Sequence, residues 1–233
     1  MNGSERKSGM DKYKQEFIEF MVKAGVLTFG DFTTKSGRKT PYFVNTGNYK
    51  TGRQIAKLGE YYAECVNRNV PGKIDALFGP AYKGIPLAVA AAISLYNRFG
   101  TDVNYCFNRK EAKDHGEGGN IVGYKPKDGD RVVIIEDVIT AGTSIRETLP
   151  VLKAAADIRP AGLIISVDRM ERGVGNKTPI AEIYEEFGIE TYPIVTVREI
   201  IDTLYNREVD GRVYIDDAMK AAMEAYLAKY CVQ

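Results

Sequence analysis

No stretch of the sequence approaches the roughly 18 consecutive apolar residues that a membrane helix requires, and the amino terminus lacks the apolar core of a secretion signal. Both absences lead us to expect a cytoplasmic chain with no membrane partner. An excess of one charge is missing too: 32 Lys and Arg stand against 31 Asp and Glu, a formal charge of +1. No general attraction to nucleic acid follows, so any basic site has to be local. Cysteine is scarce. Cys65, Cys106 and Cys231 have no metal-ligand spacing, and an odd number completes no disulfide framework, so free thiols are expected. Two nucleotide-binding patterns are also lacking. Without G-x-x-x-x-G-K-[ST] the chain is no P-loop NTPase, and without G-x-G-x-x-G dinucleotide binding is disfavoured.

What is present is ordinary for one globular domain with room for a small lobe: 233 residues, 44% hydrophobic and 27% charged. The stretch that organises it is 132–148. Four branched apolar residues at 132–135, followed at once by turn chemistry, predict a strand covered on both faces, as in a parallel sheet. Glu136 and Asp137 fall at its carboxyl end, where open α/β sheets bind ligands. Thr140, Ala141, Gly142, Thr143 and Ser144 then supply hydroxyls, small side chains and free backbone N–H groups at the start of a helix. That combination makes a cradle for a phosphate monoester.

Apolar strand candidates begin near Ala76, Asn104, Val132, Gly162 and Glu190, at intervals of 28, 28, 30 and 28 residues. Helical patterns at 85–96, 143–156 and 179–187 fill most of the gaps. The fold expected is α/β, a mostly parallel five-stranded sheet flanked by helices. Pro150, inside the second of these helices, predicts a kink or a break. Before the sheet, an amphipathic helix from Asp11 stops at Gly25, short strands at 29–33 and 42–45 flank a basic turn, and a Thr51–Gln54 capping box opens a helix to about Asn69. After it, a Thr196–Glu199 capping box precedes a last helix with Ala218, Met219, Ala222, Met223, Tyr226 and Leu227 on its apolar face. The division expected is a disordered lead-in or expression remnant at 1–10, an N-terminal lobe at 11–50, the core at 51–200 and a C-terminal helical segment at 201–233. One gap breaks the pattern. Residues 109–120 are too polar and glycine-rich for a crossover helix and hold the only histidine, His115, so a functional lid is expected there.

The segment VVIIEDVITAGTS resembles the signature of the type I phosphoribosyltransferases. Segments 32–43, 78–86, 109–119 and 166–173 are similar, in order and spacing, to the orotate-using branch of that family, and the similarity covers about 11–200. Glu136 stands where many such enzymes carry a second Asp. The signature alone places only the superfamily, which includes purine and uracil enzymes and non-catalytic regulators that sense phosphoribosyl pyrophosphate. The N-terminal lobe and the lid favour the orotate enzyme.

The resemblance implies Mg²⁺-dependent transfer of ribose 5-phosphate from phosphoribosyl pyrophosphate to orotate, giving orotidine 5′-monophosphate in pyrimidine synthesis. Glu136 and Asp137 would bind the ribose hydroxyls, and Thr140 to Ser144 the 5′-phosphate. Tyr82, Lys83, Arg109, Lys110, Lys113 and His115, with Lys35 from the N-terminal lobe (a hood over the site), would meet the pyrophosphate. Lys113, His115, Asp137 and Lys35 are the catalytic candidates. Tyr42, Phe43, Thr140 and Arg169 match base-contacting positions, although read alone Tyr42 and Phe43 are core aromatics of a hairpin and Arg169 is a surface arginine. Mg²⁺ would be held mainly by substrate oxygens and water, with no protein ligand singled out. A homodimer with active sites shared between subunits is also implied.

Overall fold

Capping residues and left-handed glycines set the element ends. The structure, a computed structural model, describes residues 10–34, 37–110, 120–173 and 175–232. The lead-in at 1–9, Lys35, Lys113 and His115 lie outside the described residues. Helix α1 (Lys12–Lys23) ends beside Gly25, whose φ of +65° is the left-handed turn expected there. Strands β1 (Leu27–Thr33) and β2 (Lys39–Val44) pair antiparallel, and both begin earlier than the sequence pattern indicates. Thr51 and Gln54 form the reciprocal capping box that opens α2 (Gly52–Asn69).

The spacing of apolar runs is realised as five parallel strands: β3 (Ala76–Gly79), β4 (Asn104–Asn108), β6 (Arg131–Ile135), β7 (Arg159–Asp168) and β8 (Thr191–Thr196). The expected count of five was one too few. β5 (Ile121–Gly123) lies in the polar gap before β6 and pairs antiparallel with β4 at the sheet edge, giving the order β5–β4–β3–β6–β7–β8. Three residues are too few to carry a period-2 signal; the neighbouring backbone makes them a strand.

Side-chain alternation along the strands builds two cores. Leu77, Val133, Ile135 and Ile164 face α1, α2 and α3 (Gly84–Phe99), while Phe78, Val132, Ile134 and Leu163 face α4 (Thr143–Ala155) and α5 (Pro179–Phe187). Helix α4 runs through Pro150 without the predicted break; the residue is exposed, so solvent can meet the carbonyl it leaves without a donor. At Gly59 a Cβ would lie 2.5 Å from the Ala90 carbonyl oxygen, so α2 and α3 touch backbone to backbone there.

The C-terminal segment holds two helices where one was expected. α6 (Val197–Leu204) starts on the Thr196–Glu199 capping box, a ribbon of β9 (Glu208–Val209) and β10 (Arg212–Val213) follows, and α7 (Asp217–Tyr230) closes the chain. α7 packs on β2, with Tyr226 edge-on to Tyr42 at 5.9 Å. Met223, Tyr226 and Leu227 of its predicted apolar face are buried, whereas Ala218 and Ala222 are exposed. Cys65, Cys106 and Cys231 are free and buried. Among the described residues no helix is long and apolar enough to cross a membrane.

Candidate active site

β3 and β6 are sheet neighbours, but the chain leaves β3 for β4 on one side and returns to β6 on the other. A crevice opens at such a switch point, beyond the carboxyl ends of the strands. The turn 80–83 after β3 and the pair Glu136–Asp137 after β6 face each other across it. Together with Asn108, Arg109, Lys110 and Ser144 they line a cavity of about 570 Å³.

Both carboxylates are buried, Glu136 at 7% exposure and Asp137 at 6%, and each is held by several donors. Asp137 Oδ2 accepts from the Thr46 hydroxyl at 2.7 Å and from Lys83 Nζ at 3.0 Å, and its Oδ1 accepts from the Val138 amide at 2.8 Å. Glu136 accepts from the Ser144 hydroxyl at 2.5 Å and from the Asp137 amide at 3.1 Å. Burial pushes the Glu136 carboxyl above its ordinary range; the Ser144 hydrogen bond opposes this and the neighbouring Asp137 adds to it. Behind the pair, the Tyr62 hydroxyl donates to the Glu136 carbonyl at 2.8 Å and Ser166 to the Asp137 carbonyl at 2.6 Å. These backbone clamps fix the turn that presents both side chains.

The loop 140–144 enters α4 through Gly142, which sits at φ +69° and has no side chain with which to cap the helix. The helix start is therefore available to an anion. Arg146 braces the loop, donating to the Ala141 carbonyl and pairing with Glu186 on α5.

The structure gathers Tyr82, Lys83, Arg109, Lys110, Glu136, Asp137 and Ser144 around one cavity, with Thr140 to Thr143 on the adjoining loop. It does not bring Tyr42 and Phe43 to a common wall. They are consecutive on a strand and project to opposite faces, so Tyr42 is fully buried while Phe43 is 39% exposed. Arg169, read alone as a surface residue, is largely buried, with its guanidinium 5.3 Å from the centre of the Tyr42 ring and paired with Glu171 at 2.7 Å. Sequence reading missed Thr46, Tyr62, Asn108, Ser166 and Glu171. All five act through partners remote in sequence, and only Ser166 and Glu171 lie within the segments that carry the family resemblance.

Carboxylates at a switch point, a glycine-bearing anion loop and a cationic turn on the facing strand define a phosphoribosyltransferase site on an α/β sheet. The family model described as phosphoribosyl transferase domain matches residues 45–190. The chain is 58% identical over 221 residues to the orotate phosphoribosyltransferase of Clostridium beijerinckii, covering 95% of this chain and 99% of that one. The same identity holds with the enzyme of that name from Lachnoclostridium phytofermentans, over 96% and 100%. A crystal structure of orotate phosphoribosyltransferase from Francisella tularensis superposes with a TM-score of 0.80 at 36% identity, covering 93% of this chain and 99% of that one. The chain belongs to the orotate phosphoribosyltransferase family.

Proposed function

We propose that this pentosyltransferase moves ribose 5-phosphate from phosphoribosyl pyrophosphate to N1 of orotate, releasing pyrophosphate and orotidine 5′-monophosphate for pyrimidine synthesis in the cytoplasm. The observation that carries the residue assignments is the Lys83–Asp137–Thr46 cluster at the mouth of the phosphate loop.

Breaking the C1–pyrophosphate bond leaves positive charge on the ribose and negative charge on the leaving group. Catalysis therefore needs carboxylates near one and cations near the other. Asp137 and Glu136 would hydrogen-bond the ribose hydroxyls and favour the oxocarbenium-like sugar. Lys83, 65% exposed in its side chain, is free to swing from Asp137 to the pyrophosphate, releasing that carboxylate for the sugar. Arg109 and Lys110 extend the cationic wall, and Tyr82, with Lys110 Nζ 5.4 Å from its ring centre, supports it. Lys113, His115 and Lys35 complete the set on the sequence resemblance, with His115 serving as hydrogen-bond or proton donor to the departing pyrophosphate. Thr140 to Ser144 would wrap the 5′-phosphate. Thr140 and Arg169, with Phe43 and Tyr42 of the lobe 11–50, would receive orotate, Tyr42 acting through Arg169.

Among the described residues no three carboxylate, His or Cys side chains cluster as a metal cage. The hard oxygens of Glu136 and Asp137 beside the cavity nevertheless fit Mg²⁺ retained chiefly by substrate oxygens and water. Bound there, the ion would neutralise charge developing on the pyrophosphate. A homodimer completes this reading, the segment 109–120 of one subunit closing over the site of the other. Exposed Ile93 and Tyr96 on α3 and Tyr105 on β4 provide apolar surface for such a contact.

Loss of orotate absorbance on adding phosphoribosyl pyrophosphate and Mg²⁺ tests the reading, with uracil, adenine and hypoxanthine as competing bases. Turnover of orotate alone is expected. Activity on a purine without orotate turnover would reject it.

A further inference from the structure

Glu171 gathers side chains from three separate parts of the chain. Arg38, ahead of β2, places Nη2 2.5 Å from its Oε2. Arg169, two residues back, places Nη2 2.7 Å from its Oε1, and the Tyr226 hydroxyl on α7 donates to that same oxygen at 2.7 Å. The backbone is held as firmly. Met170, between Arg169 and Glu171, has φ +55°, and the C-terminal residues run antiparallel beside the turn. The Arg172 amide donates to the Tyr230 carbonyl, the Val232 amide donates to the Met170 carbonyl, and Glu171 bridges to Cys231.

The charges in this cluster do not cancel. Arg38 and Arg169 both pair with the one carboxylate of Glu171, whereas the adjacent Asp168 pairs with neither guanidinium and accepts from the Met170 amide. Arg169 Nη2 and Arg38 Nε are buried without a hydrogen-bond partner; the Glu171 contact to Arg169 is close in charge but poorly aligned as a hydrogen bond. A surplus positive charge with an unspent donor is complementary to one planar carboxylate, the group that distinguishes orotate from uracil.

We propose that Glu171 is a positioning residue for orotate: it seats Arg169 for the substrate carboxylate and is itself held by Tyr226, making α7 and the C-terminal tail determinants of base affinity. The proposal rests on the assignment of Arg169 to orotate. Its test is the KM for orotate and the KM for phosphoribosyl pyrophosphate, measured separately in Glu171→Gln, Tyr226→Phe and Arg169→Ala. Glu171→Gln is expected to raise the orotate KM about tenfold, the scale of one charged hydrogen bond, and to leave the phosphoribosyl pyrophosphate KM in place. Tyr226→Phe keeps the ring packing and so the fold, and should raise the orotate KM about threefold, the weaker effect of a neutral donor. Equal shifts in both KM values, or an unchanged orotate KM, would mark Glu171 as structural only and overturn the positioning role. If Arg169→Ala itself leaves the orotate KM unchanged, the assignment of Arg169 falls and this proposal falls with it.

Discussion

Thr46 donates its hydroxyl to Asp137 Oδ2 at 2.7 Å across 91 positions of sequence, tying the turn after β2 to the carboxylate after β6. Lys83 shares that oxygen from the turn after β3, so three segments converge on one atom. Thr46→Val keeps the shape and removes the donor. The expected outcome is a rise of about five- to tenfold in the KM for phosphoribosyl pyrophosphate, the scale of one hydrogen bond to a charged group, with orotate affinity little changed. Initial-rate kinetics with each substrate varied in turn provide the check.

Glu136 is expected to cost stability in return for function. Its folded-state pKa is raised by burial, so its contribution to stability is fully present below its unfolded value of about 4.3 and is lost as pH rises through the folded value. Glu136→Gln removes the ionisation. The variant should melt at the same temperature as the parent at low pH and at a higher temperature at neutral pH, while ribose binding weakens. Thermal melts at pH 4 and pH 8 decide it: a variant less stable at pH 8 would contradict the argument.

Replacing His115 by Ala should lower kcat by about a hundredfold, the scale of general acid catalysis, with a far smaller change in affinity for phosphoribosyl pyrophosphate. An unchanged turnover number would remove the residue from the reaction.

Gly59→Ala tests the packing of α2 on α3. The added methyl would meet the Ala90 carbonyl oxygen at 2.5 Å, and since that neighbour is backbone inside a helix it cannot turn aside. A loss of about 1–3 kcal/mol is expected from overpacking. Denaturant titration would read it as a lower midpoint at unchanged slope.

Local chemistry made much of this fold legible. The capping boxes at Thr51 and Thr196 and the left-handed turn at Gly25 appear where the residue patterns put them, because each involves residues within a few positions of one another. β6 and β7 were readable from runs of branched residues, since a strand buried on both faces has to be apolar throughout. The carboxylate pair and anion loop were readable because they are contiguous.

Pairing across the chain was not. β5 is a strand only because β4 offers it a backbone ladder, and α7 stands apart from α6 only because a short ribbon turns between them. The sequence by itself determined the sheet, the carboxylates at its edge and the family of reactions they serve. Tertiary structure alone decided that Tyr42 faces inward while Phe43 faces out, that Thr46 orients Asp137, and that Glu171 joins Arg38 and Tyr226 from 133 and 55 positions away. The reason is physical: periodicity records which face of an element is buried, whereas a hydrogen bond between distant side chains leaves no trace in the residues beside either partner.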